Sequence, residues 1–171
     1  MKYPVVVLGT GPIPCDLMIV GEAPGRAEIK LKQPFVGRSG ELLSDALRGA
    51  GSSYEQCYIT NVFKGDVGDG NRNPTEDELD DHFVILHREL IDVAPKSMLL
   101  LGGFATKEFL GNSYMKDKVG QSFNFEYNFN KVLLWPCYHP AYILRNRRPE
   151  IVFSFYDIVS NFVNSSVNSG T

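Results

Sequence analysis

Residues 17–25 of the chain read Leu17-Met18-Ile19-Val20-Gly21-Glu22-Ala23-Pro24-Gly25, and they carry the main signal for the fold. Four apolar residues are followed at once by glycine, an acid, proline and glycine, a pattern typical of a buried strand that ends in a tight loop. Glu22 is therefore expected at the carboxyl end of the strand, where open parallel sheets bind their ligands. In that position it is a candidate general base, and equally a candidate cap for the loop or for the next helix.

The composition indicates one globular domain. The 171 residues are 43% hydrophobic and 22% charged, which is ordinary for such a domain. We expect the domain to span residues 1–163 and residues 164–171 to be a mobile tail, because Asn, Ser, Val, Gly and Thr offer little to bury.

The charge and the cysteines exclude several classes of protein. A formal net charge of -3 argues against binding nucleic acid by bulk electrostatics, although local basic faces remain. Two sets of residues could form such a basic face: Arg26, Lys30, Lys32 and Arg38 in a basic linker, and Arg145, Arg147 and Arg148 further along the chain. Three widely spaced cysteines form no CxxC pair, and no apolar run is long enough for a bilayer, so we predict a reducing, cytoplasmic location.

Further strands and helices alternate along the chain. Residues 57–62, 97–101 and 132–135 have strand character, and residues 120–131 suggest a hairpin or excursion. Between them lie amphipathic helical stripes, one of which begins with a capping box of Thr75 and Glu78. This alternation predicts an α/β fold of three layers, α/β/α, around a central, mostly parallel four-stranded sheet.

Other chemically useful side chains fall near the same edge of the predicted sheet. Asn61 and His139 each follow a strand, and Phe35 lies between glycine-containing loops. Asn61 is either a turn former or a fixed amide that reads a base edge. Phe35 is either a core plug or a stacking face, and Ser39 is either an N-cap or part of a phosphate site at a helix start.

Five motifs in this order resemble the uracil-DNA glycosylases, in particular the branch called family 4. They are Gly21-Glu22-Ala23-Pro24-Gly25, Pro34-Phe35-Val36-Gly37, Tyr58-Ile59-Thr60-Asn61-Val62, Gly70-Asn71-Arg72-Asn73-Pro74-Thr75 and Tyr138-His139-Pro140-Ala141-Tyr142-Ile143-Leu144-Arg145. The resemblance covers most of the chain from Asp16 to Val159. It implies hydrolysis of the N-glycosidic bond of deoxyuridine in single- or double-stranded DNA, by a monomer.

The resemblance also implies a role for each site residue. A flipped uracil would stack on Phe35, Asn61 would bond its N3–H and O4 edge, and His139 would donate to O2. Glu22 would position or deprotonate a water. The loop around the substrate would contribute Gly21, Ala23, Pro24 and Gly25, with Ala23 and Pro24 as our choice for the group that crowds C5 of thymine. Residues implied to contact DNA are Arg38, Ser39, Ala141, Leu144 and Arg145, with Ile143 beside them as a further wedge.

Two features depart from the family pattern. Family 4 members typically hold a four-iron four-sulfur cluster on four cysteines, whereas the matching positions here carry Gly65 and His82, with no CxxC pair upstream. We therefore predict no cluster and no other cofactor or metal, and we expect His82 and His87 to be solvated. Ala141 stands where the family has a serine, which removes one hydroxyl that touches a DNA phosphate.

Two other functions compete with the glycosylase. One is a weak or inactive relative that binds uracil-containing DNA without cleaving it, favoured by the missing cysteines and by Ala141. The other is an enzyme acting on a small nucleotide or ester, against which the absence of GxSxG and of a P-loop counts.

Overall fold

The computed structural model describes residues 1–68, 72–112 and 115–168. Gly70 and Asn71, part of the fourth motif above, and residues 169–171 of the predicted tail lie outside this range. In the described part, strands and helices alternate as the sequence predicts. The strands are β1 (Leu17–Gly21), β2 (Cys57–Asn61), β3 (Ser97–Leu101), β4 (Phe123–Tyr127) and β5 (Asn130–Cys137). The helices are α1 (Arg26–Leu31), α2 (Arg38–Gly49), α3 (Glu76–Val93), α4 (Gly103–Leu110), α5 (Pro140–Arg145) and α6 (Pro149–Asn168).

The strands form one sheet in the order β2-β1-β3-β5-β4. β1 pairs in parallel with β2 and β3, and β3 with β5, while β4 pairs antiparallel with β5. The register sets Gly21 beside Asn61 and Leu101 beside Cys137, so the carboxyl ends of the four parallel strands lie along one edge. The loops that carry Glu22, Asn61 and His139 all leave the sheet there.

The core has two halves, one on each face of the sheet. Leu17 and Ile19 of β1 pack with Leu43 of α2 and Phe155 of α6 on one side. Met18 of β1 packs on the other side, with α3 and α4. Successive side chains of a strand point to opposite faces, so a fully apolar β1 requires helices on both. The predicted three-layer α/β/α fold is confirmed.

The predicted number of strands was wrong, because the sheet has a fifth strand in the stretch 120–131. The side chains of β4 alternate between half-buried and exposed, and Phe125 makes an edge contact with Phe109 of α4 at 5.7 Å between ring centroids. Asn128 and Phe129 form the turn to β5 with φ of 44° and 65°. The hairpin alternative for this stretch is therefore confirmed, since β4 pairs antiparallel with β5 across this turn. An edge strand with one exposed face can carry the Asn and Glu residues of this stretch.

Helix α6 continues into the segment predicted to be a tail. It extends to Asn168, and Ser165 accepts a hydrogen bond from Trp135 Nε1 at 3.1 Å and bonds to Ser97 Oγ at 2.8 Å. The boundary at residue 163 therefore needs correction: a polar helical turn that supplies partners to buried polar groups need not bury apolar side chains of its own.

Among the described residues, no helix is both long enough and apolar enough to cross a membrane.

Candidate active site

A cavity of about 390 Å³ opens at the carboxyl edge of the sheet, where β1, β2 and β5 end. Most of the predicted site residues line it, together with residues of the loop before α2 and the start of α5. The lining residues are Ala23, Gly25, Glu28, Phe35, Gly37, Arg38, Ser39, Asn61, His139 and Ala141. We call this cavity the strand-end pocket.

A larger cavity of about 700 Å³ also borders Phe35, but it extends towards Thr10, Arg48 and Tyr54 and includes neither Asn61 nor His139. The polar groups of the strand ends therefore converge on the smaller cavity.

Asn61 is the last residue of β2 and is only 4% exposed. Its neighbour across the sheet is Gly21, where an added Cβ would lie 2.5 Å from Asn61 Oδ1. Only glycine at position 21 therefore leaves room for this amide. Within the described residues, no hydrogen bond uses the Asn61 side chain, so its donor and its acceptor are both available to a ligand.

Phe35 lies under the pocket, 6% exposed, in a backbone conformation that is unusual for a bulky residue, with φ of 51°. Two glycines accommodate it. An added Cβ at Gly21 would lie 2.6 Å from Phe35 Cζ, and one at Gly40 would overlap the Phe35 carbonyl group. The ring of Phe35 therefore packs against β1 at Gly21, and its carbonyl group packs against the first turn of α2 at Gly40, so both its ring and its backbone are held in place.

His139 faces the same space as Phe35, with ring centroids 5.8 Å apart and planes inclined by 30°. It is the N-cap of α5, and its Nδ1 accepts a hydrogen bond from the backbone N–H of Ala141 at 3.1 Å. Burial, with a smaller contribution from the charge of Arg145, lowers the pKa of His139 to about 4. The ring is neutral at pH 7 and, because Nδ1 accepts, it carries its proton on Nε2.

Gly102, at the end of β3, makes room for this histidine. It has φ of 93°, and an added Cβ would contact His139 Cβ at 3.4 Å. A glycine at this position therefore allows the close approach of His139 to the end of β3.

Glu22 lies beside the strand-end pocket rather than among the residues that line it. Its side chain is half-buried, and its backbone carbonyl accepts from Phe63 N at 2.9 Å. Burial raises the pKa of the Glu22 carboxyl above its usual value, and the nearby positive charge of Arg145 opposes that rise. A carboxylate with a raised pKa is a better proton acceptor than one in water.

The residues predicted to contact DNA divide into two groups. Arg38 and Ser39 form the first turn of α2 and line the pocket, whereas Arg145 is exposed and Leu144 is half-buried at the end of α5. Gly37 is the N-cap of α2 and has no side chain to bond the first N–H groups, so the alternative that Ser39 is the N-cap is wrong. Ile143 is 2% exposed and packs in the core, so it is not available as a wedge.

The two residues chosen to crowd C5 separate in space. Ala23 lines the strand-end pocket, while Pro24 is buried and borders a different cavity of about 410 Å³ beside Arg26 and Lys30. Gly25 lines both cavities. Of the two candidates, only Ala23 therefore contacts the space that a base would occupy.

Sequence reasoning missed a buried polar cluster directly behind Asn61. The ammonium group of Lys64, which is 0% exposed, pairs with the Glu89 carboxylate at 2.7 Å. It also donates to the Asn61 carbonyl at 2.6 Å and to Thr60 Oγ1 at 2.7 Å. The available signal was a lone lysine directly after the apolar pair Val62-Phe63.

The residues at the implied cluster positions do not fit an iron–sulfur cluster. Gly65 offers no donor, and an added Cβ there would lie 2.6 Å from the Phe63 ring and 2.9 Å from the Pro4 carbonyl oxygen. His82 was predicted to be solvated, which is wrong: it is fully buried and stacks on Phe63 at 4.6 Å between ring centroids. Both of its ring nitrogens are in use, since Nδ1 accepts from Lys64 N at 2.9 Å and Nε2 lies 2.8 Å from the Tyr3 carbonyl oxygen.

Among the described residues, no group of three or more His, Cys, Asp or Glu side chains is arranged to hold a metal ion.

Comparison with known proteins gives a consistent result. The sequence model of the Uracil DNA glycosylase superfamily matches residues 8–159. Proteins named Type-4 uracil-DNA glycosylase are similar to this chain in Archaeoglobus fulgidus (37% identical over 153 residues, 85% of this chain and 74% of the relative) and in Thermotoga maritima (35% over 148 residues, 85% and 75%). Another protein of this name, from Sulfurisphaera tokodaii, is 36% identical over 146 residues, or 82% of this chain and 66% of the relative.

The chain thus spans about two thirds to three quarters of the length of these relatives. The match includes the ends of β1, β2 and β5, which build the strand-end pocket. From the extent of this match, the chain belongs to the uracil-DNA glycosylase superfamily.

Proposed function

We propose that this protein is a uracil-DNA glycosylase, which hydrolyses the N-glycosidic bond of deoxyuridine in DNA, releases uracil and leaves an abasic site. The observation that carries the proposal is the meeting of Phe35, Asn61 and His139 in one pocket of about 390 Å³ at the carboxyl edge of a parallel sheet. Membership of the superfamily supports it.

The pocket suits a single pyrimidine taken out of the DNA stack. The base stacks on Phe35, whose ring and backbone are already held by packing against Gly21 and Gly40. Binding therefore costs little side-chain entropy at this residue. The amide of Asn61 accepts from uracil N3–H and donates to O4. Cytosine presents the reverse pattern at these two atoms, so binding it would leave buried polar groups unpaired. For Ala23, which lines the pocket, we propose the role of excluding thymine by crowding the methyl group at C5.

The chemistry needs stabilisation of two developing charges. As the glycosidic bond breaks, negative charge gathers on the uracil, and neutral His139 donates from Nε2 to O2. Loss of one such donor typically costs about 10²–10³ in rate. Glu22 positions or deprotonates the attacking water and stabilises the cationic sugar, and its raised pKa favours that role.

The DNA strand is held by residues at the rim of the pocket. The start of α2, with Arg38 and Ser39, offers N–H groups that no side chain caps, which suits a phosphate. Arg145 adds a positive charge, and Leu144 is the remaining apolar candidate for a wedge. Ala141 lacks a hydroxyl, and one missing hydrogen bond costs about 0.5–1.5 kcal/mol, so binding is weakened rather than lost.

We further propose that the protein works without a cofactor, as a monomer inside the cell. The absence of a cofactor is supported by the residues at the two implied cluster positions. Gly65 has no side-chain ligand, and both ring nitrogens of His82 are already hydrogen-bonded, so neither residue can bind an iron–sulfur cluster. The three thiols Cys15, Cys57 and Cys137 are unpaired and buried, which is typical of a reducing compartment. Finding stoichiometric iron and sulfide in the purified protein would refute the first point.

The test is incubation with a single-stranded oligonucleotide that contains one deoxyuridine, followed by alkaline cleavage at abasic sites. We expect cleavage with the native protein and a loss of orders of magnitude in rate with Glu22→Gln, which keeps the size but not the charge of the carboxylate. A thymine oligonucleotide is the substrate control and should remain intact. Tight binding with no base release over long incubation would establish the alternative, a relative that only binds uracil-containing DNA.

A further inference from the structure

The polar cluster behind Asn61 joins three elements of the fold. Lys64 follows β2, Thr60 lies on β2 and Glu89 lies on α3. Tyr58 OH and Thr60 Oγ1 each donate to the Glu89 carboxylate at 3.0 Å. All four side chains are buried. The cluster therefore lies inside the protein, between β2 and α3.

The ammonium group of Lys64 is fully satisfied. It has three N–H donors and three acceptors at 2.6–2.7 Å: the Asn61 carbonyl, Thr60 Oγ1 and Glu89 Oε2. Burial lowers the pKa of Lys64, and the Glu89 carboxylate opposes that effect. The ion pair with Glu89 thus offsets part of the cost of burying an ammonium group.

The connection to the strand-end pocket runs through the main chain. Lys64 folds back over three residues to hold the carbonyl of Asn61, the residue whose side chain lines the pocket. In the same turn, Val62 N donates to the Gly21 carbonyl and Phe63 N to the Glu22 carbonyl, both at 2.9 Å. The backbone of the Lys64 residue itself is held by His82 and by the N–H groups of Val6 and Val7.

This arrangement is a costly way to achieve stability alone. Replacing a buried ion pair by apolar residues of similar volume is often neutral or stabilising. A lysine with three fixed acceptors does what an apolar side chain cannot do, because it sets the orientation of a particular peptide group. That peptide group contains the carbonyl of Asn61, the residue whose side-chain amide faces the pocket.

We propose that Lys64 is a positioning residue for base recognition: its buried ammonium group, held by Glu89 and Thr60, fixes the peptide of Asn61 so that the amide meets the uracil edge in register. This inference rests on the proposed function. Lys64 does not touch the base and acts only through Asn61.

The test is a cycle of four proteins assayed for uracil release in single turnovers. They are the native protein, Lys64→Met/Glu89→Gln, Asn61→Ala, and the combination of all three changes. The paired change removes both charges together and leaves an acceptor for Tyr58 and Thr60, so no buried charge is left unpaired. In the native background, we expect the paired change to lower the rate of uracil release about tenfold to a hundredfold, as for other small misplacements of a recognition group.

In the Asn61→Ala background, the same paired change should lower the rate of uracil release by less than about twofold, because the side-chain amide that Lys64 positions is absent. An equal loss in both backgrounds would overturn the proposal, since general damage to the fold does not depend on Asn61. Ser97→Ala is the matched control for lost buried hydrogen bonds: it removes the bonds to the Phe162 carbonyl and to Ser165 Oγ, at the opposite end of β3 from the pocket, and should leave uracil release unchanged.

Two provisions keep the test decisive. If the paired variant does not fold, Glu89→Asp retracts the carboxylate from Lys64 and should show a smaller loss with the same dependence on Asn61. If the native protein releases no uracil, the proposed function fails. The cycle is then measured as the ratio of affinities for deoxyuridine and deoxycytidine oligonucleotides, and an unchanged ratio would overturn the role of Lys64.

Discussion

Replacing Gly21 by alanine should impair uracil release far more than it impairs folding. An added Cβ would lie 2.5 Å from Asn61 Oδ1 and 2.6 Å from Phe35 Cζ, whereas real Cβ atoms essentially never come within 3.0 Å of such atoms. The amide and the ring must therefore retreat by about half an ångström, which is the limit of what a functional site tolerates. Because both groups hold the base in the proposed mechanism, we expect kcat/KM to fall about tenfold to a hundredfold.

The stability cost should be that of a small overpacking, about 1–3 kcal/mol, which leaves the protein folded at 25 °C. The assay is single-turnover release of uracil from a deoxyuridine oligonucleotide, with urea denaturation to measure the free energy of unfolding. Gly49→Ala is the matched control, because nothing lies within 4 Å of its added Cβ and its rate should not change. A Gly21→Ala protein with the native kcat/KM would refute the claim that the base lies between Asn61 and Phe35.

Three more predictions follow from the site and its surroundings. Asn61→Asp should lower uracil release by about 10²-fold or more, because a carboxylate offers no donor to O4; rates on uracil and cytosine oligonucleotides measure this. Arg145→Ala should move the acidic limb of the pH–rate profile to higher pH, since Arg145 opposes the raised pKa of Glu22, and added salt should shrink the difference from the native profile. His82→Leu should reduce the free energy of unfolding by about 1–3 kcal/mol for each of the two backbone groups left unpaired, while uracil release per folded molecule stays near the native rate.

The sequence was most informative where strands end. An apolar run that stops at a polar residue predicts both a buried strand and the edge at which that residue lies, so Asn61 and His139 could be assigned to one crevice from order alone. Parallel pairing then brings these residues together, because it places the carboxyl ends of the strands along one edge of the sheet. The resemblance to a known family then supplied chemical roles that the pattern itself left open.

Local pattern failed where a partner far away in the chain decides the outcome. The segment after Gly25, predicted to be a basic linker, contains helix α1. This helix has no buried residue, so its sequence lacks the apolar stripe that would predict it. His82 was expected in solvent, yet it is buried in the core, and the carbonyl oxygen of Tyr3, 79 residues earlier, accepts a hydrogen bond from its Nε2. Lys64 is of the same kind, since its burial depends on Glu89 of another element.

Hydrolysis of deoxyuridine by the protein alone can be tested by counting the products from one deoxyuridine oligonucleotide incubated with iron-free protein. Free uracil is quantified by chromatography and abasic sites by cleavage on a gel. We expect equal amounts of the two products from the deoxyuridine oligonucleotide, no product from the thymine oligonucleotide, and a loss of both products with Glu22→Gln. Intact DNA with the native protein, or release that depends on added iron and sulfide, would contradict this expectation.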